Sequence, residues 1–485
     1  MENFVLLKRL MEKAQENHVS FHIPGHKNGK IYHQYEQLRK NQYFSPDMIA
    51  LDVTEMPGTD NLHAPRDVIQ EAQERAAKCF GADATFFLID GTSSGNISAL
   101  MAVANPGEKV VIPRDCHKSL MHGLVLGGLV PVYISPELNR KTNMSMGISP
   151  EAVERTLVEH PDVKAVVVTY PNYYGIASDI KQIADIVHRY DKVLIVDEAH
   201  GSHFLLNENL PIPALEAGAD IVSQSIHKTL PSFTQSSMLH VKSKRIDMER
   251  LRLMLMMNQS SSPSYLLMAS LDIARGIIEQ DGRERMAALL ETIQAFEERI
   301  SGIEGLKKIG KEVVGQYSVK AVDPTRLVFN MTARGLSGVA LDDLLRETYG
   351  IQMEMSDTHR VVGVSGIAND AEDFEKLANA LLDIAKNSKP VHKEEEAIQF
   401  PGSIPEMKLD PRSAVFAPKK MVPFSESVGK ISGEYIIPYP PGIAILCPGE
   451  EITQEMLSYI HILKEKGVNI IGPKDEQLEM ISVIA

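Results

Sequence analysis

Between roughly residues 80 and 245, short apolar runs alternate with longer stretches whose apolar positions recur at helical spacing. The short runs are Thr85–Ile89, Lys109–Ile112, Lys164–Thr169, Val193–Val196, Ile221–Ser223 and Met238–Val241. Each has the length of one buried strand. Between them, segments such as Ile180–His188 carry the helical period. Strands separated by helices need crossover connections, so the pattern predicts an α/β fold with a mainly parallel sheet covered on both faces. Ligands of such sheets collect beyond the carboxyl ends of the strands, and chemistry is expected in the residues that follow each run.

The flanking patterns differ. Leu6, Leu7, Leu10, Met11 and Ala14 have helical spacing, which predicts an amphipathic docking helix near the N-terminus. Residues 264–300 read as long helices, and 301–388 mix a strand (Leu327–Met331) with a helix (Asp370–Ala385), as a smaller α+β domain would. The polar stretch Asn387–Ala397 suits a linker. Pro-rich segments and short apolar runs beyond it predict a third small domain. The expected division is an N-terminal segment 1–50, a large domain 51–270, a small α+β domain 271–390 and a C-terminal domain 398–485.

Composition changes this picture little. The chain has 485 residues, 24% charged and 44% hydrophobic, near globular averages. The 50 basic against 64 acidic residues give −14, which argues against a nucleic-acid or anionic-membrane partner. The charged N-terminus lacks the apolar core of a signal peptide, and no run of about eighteen apolar residues occurs, so a cytoplasmic protein with no membrane partner is expected. Cys79, Cys116 and Cys447 are far apart, supporting neither a disulfide framework nor a zinc site, and no metal is expected. Met254, Met256 and Met257 read as core packing.

Three stretches carry candidate chemistry. Gly91-Thr92-Ser93-Ser94-Gly95-Asn96 follows a strand and precedes a predicted helix, Ile97–Val103. It suits either an anion site of amides and hydroxyls at a helix N-terminus or a plain capped turn. No GxxxxGK[ST] or GxGxxG occurs there, so neither a nucleoside triphosphate nor a dinucleotide is implied. Asp197 ends the apolar run Val193–Val196 at the sheet's carboxyl edge, where it could bind a metal, act as a base or hold a cationic ring nitrogen. The DEAH letters at 197–200 suggest a helicase only if a phosphate-binding lysine loop precedes them, and none does. Lys228 lies just past the next run, in Ser225-Ile226-His227-Lys228. It is a loop lysine, or a desolvated amine with lowered pKa fit for Schiff-base chemistry.

Together the three are the parts that hold pyridoxal 5′-phosphate: a phosphate cradle, an Asp for the pyridine nitrogen and a Lys for the aldehyde. Their chain order resembles the aspartate-aminotransferase-like fold. Longer motifs narrow the resemblance: Phe21–Lys27 (FHIPGHK), Leu62–Pro65, Pro113–Ser119 (PRDCHKS), DEAHGSH at 197–203, SIHK at 225–228, and Glu434–Gly442 with Pro448–Glu450. From about residue 20 to its end the chain resembles the bacterial ornithine/lysine/arginine decarboxylases, most of all the shorter members without a response-regulator-like N-terminal domain.

That resemblance implies a role for each matching position. Lys228 would carry the cofactor, Asp197 would pair with its ring nitrogen, and His117 would stack on the ring with His200 nearby. Thr92, Ser93, Ser225 and His227 would bind the phosphate, and Ser261 would reach a neighbouring subunit's phosphate. Glu434 would face the substrate's distal cation. A homodimer or higher homo-oligomer is implied, with a basic amino acid as substrate: arginine first, then lysine, then ornithine. Asn172 stands where a small hydroxyl residue is usual, and Pro231 where relatives often have Gly or Leu; both bear on backbone shape and substrate preference. An aminotransferase on the same fold, or an idle homologue acting as a scaffolding partner, are the competing readings.

Overall fold

The computed structural model describes residues 2–16, 18–40, 45–139, 142, 144–389, 404–438, 444–465 and 468–485. The expected linker from residue 390 onward and the Tyr439–Gly442 part of the Pro-rich motif lie outside the described residues.

Seven strands form the central sheet: β1 (Ala84–Leu88), β2 (Lys109–Pro113), β3 (Val130–Ile134), β4 (Ala165–Thr169), β5 (Val193–Asp197), β6 (Ile221–Gln224) and β7 (Ser237–Val241). Their spatial order is β1-β7-β6-β5-β4-β2-β3. The five strands from β6 to β3 run parallel, while β7 joins β6 and β1 antiparallel. Residues Leu194, Ile195 and Val196 of β5 are fully buried, as are Val166, Val167 and Val168 of β4. Strands covered on both faces read as unbroken apolar runs, which is why they stood out. Strand β3 was not predicted: it is an edge strand, half-buried, with Pro131 in its second position.

Helix α1 (Val5–Gln15) docks as the periodicity predicts, with Leu6 and Leu10 at 0% exposure. Helix α2 (Gly91–Val103) starts six residues earlier than expected, because the Gly/Ser/Thr cluster itself forms its first turn. Gly91 sits at φ +70°, a left-handed backbone that turns strand into helix at little cost for glycine. At Gly95 a Cβ would come within 2.7 Å of Leu88 and 3.2 Å of Ser223 Oγ, so α2 lies on the sheet at a distance only glycine allows. Helix α3 (Lys118–Gly127) follows β2, with His117 at its N-cap. The run at 264–300 is two helices, Tyr265–Ile277 and Arg283–Ile300, joined by a π-helical turn.

The following α+β region carries a small antiparallel sheet in which Arg326–Asn330 pairs with Arg360–Val364. Helix Ala371–Asn387, closed by a capping box at Asp370, packs beside it. In the C-terminal region Lys419–Pro423 pairs with Met480–Ile484, and Ile437–Pro438 with Ile470–Ile471. Among the described residues no helix is long and apolar enough to cross a membrane. The methionine expectation fails in part: Met256 and Met257 are 47% and 62% exposed, because their helix (Met248–Asn258) packs against α2 with its opposite face.

One buried ion pair seats the C-terminal region on the sheet. Arg114, just past β2, donates from Nη1 and Nη2 to the two oxygens of Glu450 at 2.5 and 2.7 Å. Its remaining donors take the carbonyls of Ala444 and Ile445, both at 2.9 Å, and its guanidinium lies 4.7 Å from the Tyr133 ring centre. Both charges are almost wholly enclosed, at 4% and 0% exposure. Removing one partner strands the other in a low-dielectric interior. Arg114→Ala is therefore expected to cost about 3–5 kcal/mol in denaturant unfolding. A loss under about 1 kcal/mol, the range of exposed pairs, would show that this pair does not seat the region.

Candidate active site

The carboxyl ends of β4, β5 and β6 and the N-termini of α2 and α3 meet around a cavity of about 410 Å³. That size suits a small molecule, for which roughly 300–1,000 Å³ is usual. Thr92, His117, Asp197, His200 and Lys228 all line it. Four separate stretches of the chain are thus brought together by strand ends and the turns that follow them.

Asp197 is the last residue of β5 and is 3% exposed. Its Oδ2 accepts from Asn96 Nδ2 at 2.9 Å, and its Oδ1 from the Ala199 amide at 3.2 Å. Asn96 also donates to Ser119 Oγ at 3.1 Å, and Ser119 Oγ lies 2.9 Å from His117 Nδ1. His117 caps α3 by accepting the Ser119 amide on Nδ1, which leaves Nε2 to carry the proton of a neutral ring. Enclosure by the cavity walls pushes this imidazole below its ordinary pKa, against the pull of Asp197. One chain of hydrogen bonds therefore fixes the carboxylate and the ring together.

Lys228 lies in the one-turn helix Ile226–Thr229 after β6. Burial lowers its pKa; Asp197 opposes this and Arg326 adds to it. Its Nζ is 3.1 Å from His200 Nε2, and His200 Nδ1 accepts from Arg326 Nη2 at 2.8 Å. His200 is held well below its ordinary pKa, first by burial and then by Lys228 and Arg326. Tyr173 meets the His200 ring edge-on at 4.9 Å.

Around the helix end, Thr92 Oγ1 and Ser225 Oγ lie 3.1 Å apart. Ser93 is partly exposed in the first turn of α2, whose N-cap residue Asp90 makes no side-chain cap. His227 is partly buried, with Nδ1 2.9 Å from the Ser236 carbonyl. Five expected residues, Ser93, Ser225, His227, Ser261 and Glu434, do not line the cavity. Ser261 is exposed, next to Ser260, whose amide donates to Asp90 Oδ2 at 3.1 Å. Glu434 is 6% exposed, and the amides of Ser482 and Lys474 donate to its two oxygens at 3.0 Å each.

That region does reach the cavity, through Ile437 and Ile471, which form part of its wall. Ile437 lies in the motif Glu434–Gly442, whereas no sequence signal separates Ile471 from other isoleucines. Asn96 and Arg326 were also missed, although Asn96 directly follows the motif glycine Gly95. Asn172, one of the departures, also lines the cavity: it accepts the amides of Tyr174 and Ile176 and donates to the Ser145 carbonyl, so it braces the turn.

A phosphorylated aldehyde with a basic ring nitrogen is the ligand that makes use of an amine, a carboxylate and a helix N-terminus at once. The class this defines is that of pyridoxal-phosphate enzymes on an α/β scaffold. Residues 5–373 match the model of the Orn/Lys/Arg decarboxylase major domain, and residues 394–474 that of the C-terminal domain. The chain belongs to the Orn/Lys/Arg decarboxylase family. It is 38% identical to the arginine decarboxylase of Bacillus subtilis (strain 168), over 98% of this chain and 96% of that one. It is 37% identical to the arginine decarboxylase of Halalkalibacterium halodurans, over 100% and 98%. Among solved structures, lysine decarboxylase LdcF of Francisella novicida superposes with a TM-score of 0.86 at 20% identity, covering 99% of this chain and 81% of that one. The cofactor is pyridoxal 5′-phosphate.

The residues present fit that group. The first amides of α2 lack a side-chain cap, and the Thr169 hydroxyl is buried at the cavity wall with no hydrogen-bond partner. The Asp197 Oδ1 bears a single 3.2 Å contact, which leaves it room for another donor.

Glu198, next to Asp197, is fully buried and does not line the cavity. Its oxygens meet the Ala214 amide at 2.8 Å and Gln224 Nε2 at 2.6 Å. Burial raises its pKa from 4.5 to about 8, with these two contacts opposing. A raised folded-state pKa contributes stability that is full below the unfolded value and is lost as pH rises through the folded one. Stability is therefore expected to fall from about pH 4.5 to 8 on this account. Glu198→Gln should flatten that slope in denaturant unfolding series; an unchanged slope would mean that Glu198 is ionised in the folded chain.

Proposed function

We propose that this chain decarboxylates a basic L-amino acid at Cα, converting arginine to agmatine and carbon dioxide. The observation that carries the reading is an amine with lowered pKa, Lys228, in one cavity with the buried carboxylate Asp197. Two relatives named arginine decarboxylases, alike over nearly their full lengths, support arginine as the substrate.

In this reading Lys228 holds the cofactor's aldehyde carbon, and Thr92, Ser93, Ser225 and His227 hold its phosphate beside the uncapped amides of α2. Pyridoxal 5′-phosphate, when bound, supplies a ring that takes up the electron pair left as the Cα–carboxylate bond breaks. Asp197 keeps a proton on the ring nitrogen, and Asn96 keeps Asp197 from turning away. His117, locked by Ser119, offers a flat neutral ring to pack on the cofactor. The apolar wall of Ile437 and Ile471 excludes water, which strengthens every charge interaction inside. Lys228 stands ready to return a proton to Cα once carbon dioxide has left.

Incubating the cofactor-loaded full chain separately with arginine, lysine and ornithine is the deciding assay. Agmatine from arginine and much less amine from the others is expected. Cadaverine or putrescine as main product would reassign the substrate. A keto acid in place of carbon dioxide would make the chain an aminotransferase, and no turnover at all would favour a scaffolding role. In the same assay Lys228→Ala should lose both turnover and the absorbance of attached cofactor.

We infer a homodimer or larger homo-oligomer as well. Val19, Phe21 and Ile23 are 83%, 94% and 58% exposed, and Leu253, Met256 and Met257 add a second apolar surface beside the exposed Ser261. Apolar area of this kind marks an interface. Light scattering should give at least twice the 53.7 kDa chain mass; a stable single-chain mass would end this reading.

A further inference from the structure

Arg326 opens the strand Arg326–Asn330 and is among the largest fully buried side chains, at 1% exposure. It does not line the cavity. Its nearest carboxylate oxygen, Asp323 Oδ2, lies 4.0 Å from Nε and accepts no hydrogen bond, while Thr325 and His203 engage Oδ1. Nε and Nη1 have no hydrogen-bond partner, so Asp323 acts on the guanidinium by charge alone. Its close polar contact is Nη2 to His200 Nδ1, at 2.8 Å. The position is built for it: at Gly175, φ +82°, a Cβ would stand 2.6 Å from Arg326 Cγ.

A guanidinium donates only and stays charged at neutral pH. His200 Nδ1 must therefore accept, and a neutral ring then carries its proton on Nε2. That Nε2–H points at Lys228 Nζ, 3.1 Å away. An ammonium has no lone pair to accept it; a neutral amine has one.

We propose that Arg326 is a positioning residue: by fixing the tautomer of His200 it makes that ring a donor to Lys228, and so holds Lys228 as the neutral, nucleophilic amine. The groups facing Lys228 are Asp197 from β5, His117 from α3's N-cap, His200, His227, and Arg326 and Glu354 from the small domain. Of these, Asp197 and Glu354 favour the ammonium, and the Arg326–His200 pair opposes them. The inference deepens the reading of Lys228 as the cofactor lysine and rests on it for its consequence.

The test uses the full-length chain freed of cofactor. The rate at which added pyridoxal 5′-phosphate is taken up, followed by absorbance, is measured across pH. In Arg326→Met the ring proton is free to move to Nδ1, leaving Nε2 to accept from an ammonium. The midpoint of the profile should then rise by about one pH unit, or about tenfold in rate on the acid side. In a His200→Phe background the same substitution should move the midpoint much less, whereas Arg326→Lys, which keeps a charged donor, should restore most of the native profile. An equal shift in both backgrounds would mean that the charge acts through space, and no shift in either would mean that it does not act; each overturns the proposal. If Arg326→Met does not fold, nitrogen NMR of the histidine-labelled native chain decides, with His200→Phe as the blank. A proton on Nε2 of His200 is the expected result, and one on Nδ1 overturns the proposal. Neither measurement uses substrate. Failure of the decarboxylation assay, or of cofactor attachment at Lys228, is thereby distinguishable from failure of this inference.

Discussion

A carboxylate buried at the end of a parallel strand is the constraint around which this molecule is arranged. Asp197 ends a strand whose three preceding residues are fully buried, and it has almost no contact with solvent. Taking such a charge out of water costs several kcal/mol unless donors replace the lost hydration. The donors are few: Asn96 from α2 and the Ala199 amide. Asn96 arrives there only because α2 begins at Gly91 and lies hard against the sheet at Gly95, where a Cβ would strike Leu88. The register of that helix, the closeness allowed by one glycine and the hydrogen bonding of Asp197 are one condition seen from three sides.

The same low-dielectric surroundings act in the opposite sense on the cationic groups. Burial discourages charge on Lys228, His117 and His200. A site that must contain a carboxylate and a free amine within one cavity is helped by such asymmetry, because Asp197 accepts from Asn96 and the Ala199 amide, whereas the neighbour of Lys228 Nζ is the His200 ring. Polarity is thus set by which group receives donors rather than by depth alone.

The central sheet was legible in the sequence because strands buried on both faces leave contiguous apolar runs, and because the chemistry follows directly on their ends. Asp197 and Lys228 could be read as strand-terminal residues before any contact was known, and motif likeness carried His117 and His200. What escaped has physical reasons. Strand β3 alternates at an edge and is interrupted by Pro131, so it lacks a run. Helix α2 was begun too late because Gly and Ser read as turn residues, whereas here they are selected by close packing and amide exposure. Met256 and Met257 follow an apolar pattern that signals a face to be covered, and a single chain cannot say by what. Glu434 was placed by analogy, and two backbone amides donate to its carboxylate. Arg326 and Ile471 act through tertiary contacts over more than a hundred residues, which leave no periodic or local trace.

The Arg114–Glu450 pair has a consequence in time as well as in space. Its two members are 336 positions apart. A chain made from its N-terminus exposes Arg114 long before Glu450 exists, and an unpartnered guanidinium resists burial. The sheet edge that carries Arg114 must stay hydrated until nearly the whole polypeptide has emerged. The wall formed by Ile437 and Ile471 is then added last. Vectorial synthesis therefore keeps Lys228 open to the surrounding solution during translation, and a truncated product ending before residue 450 would lack the means to close over it.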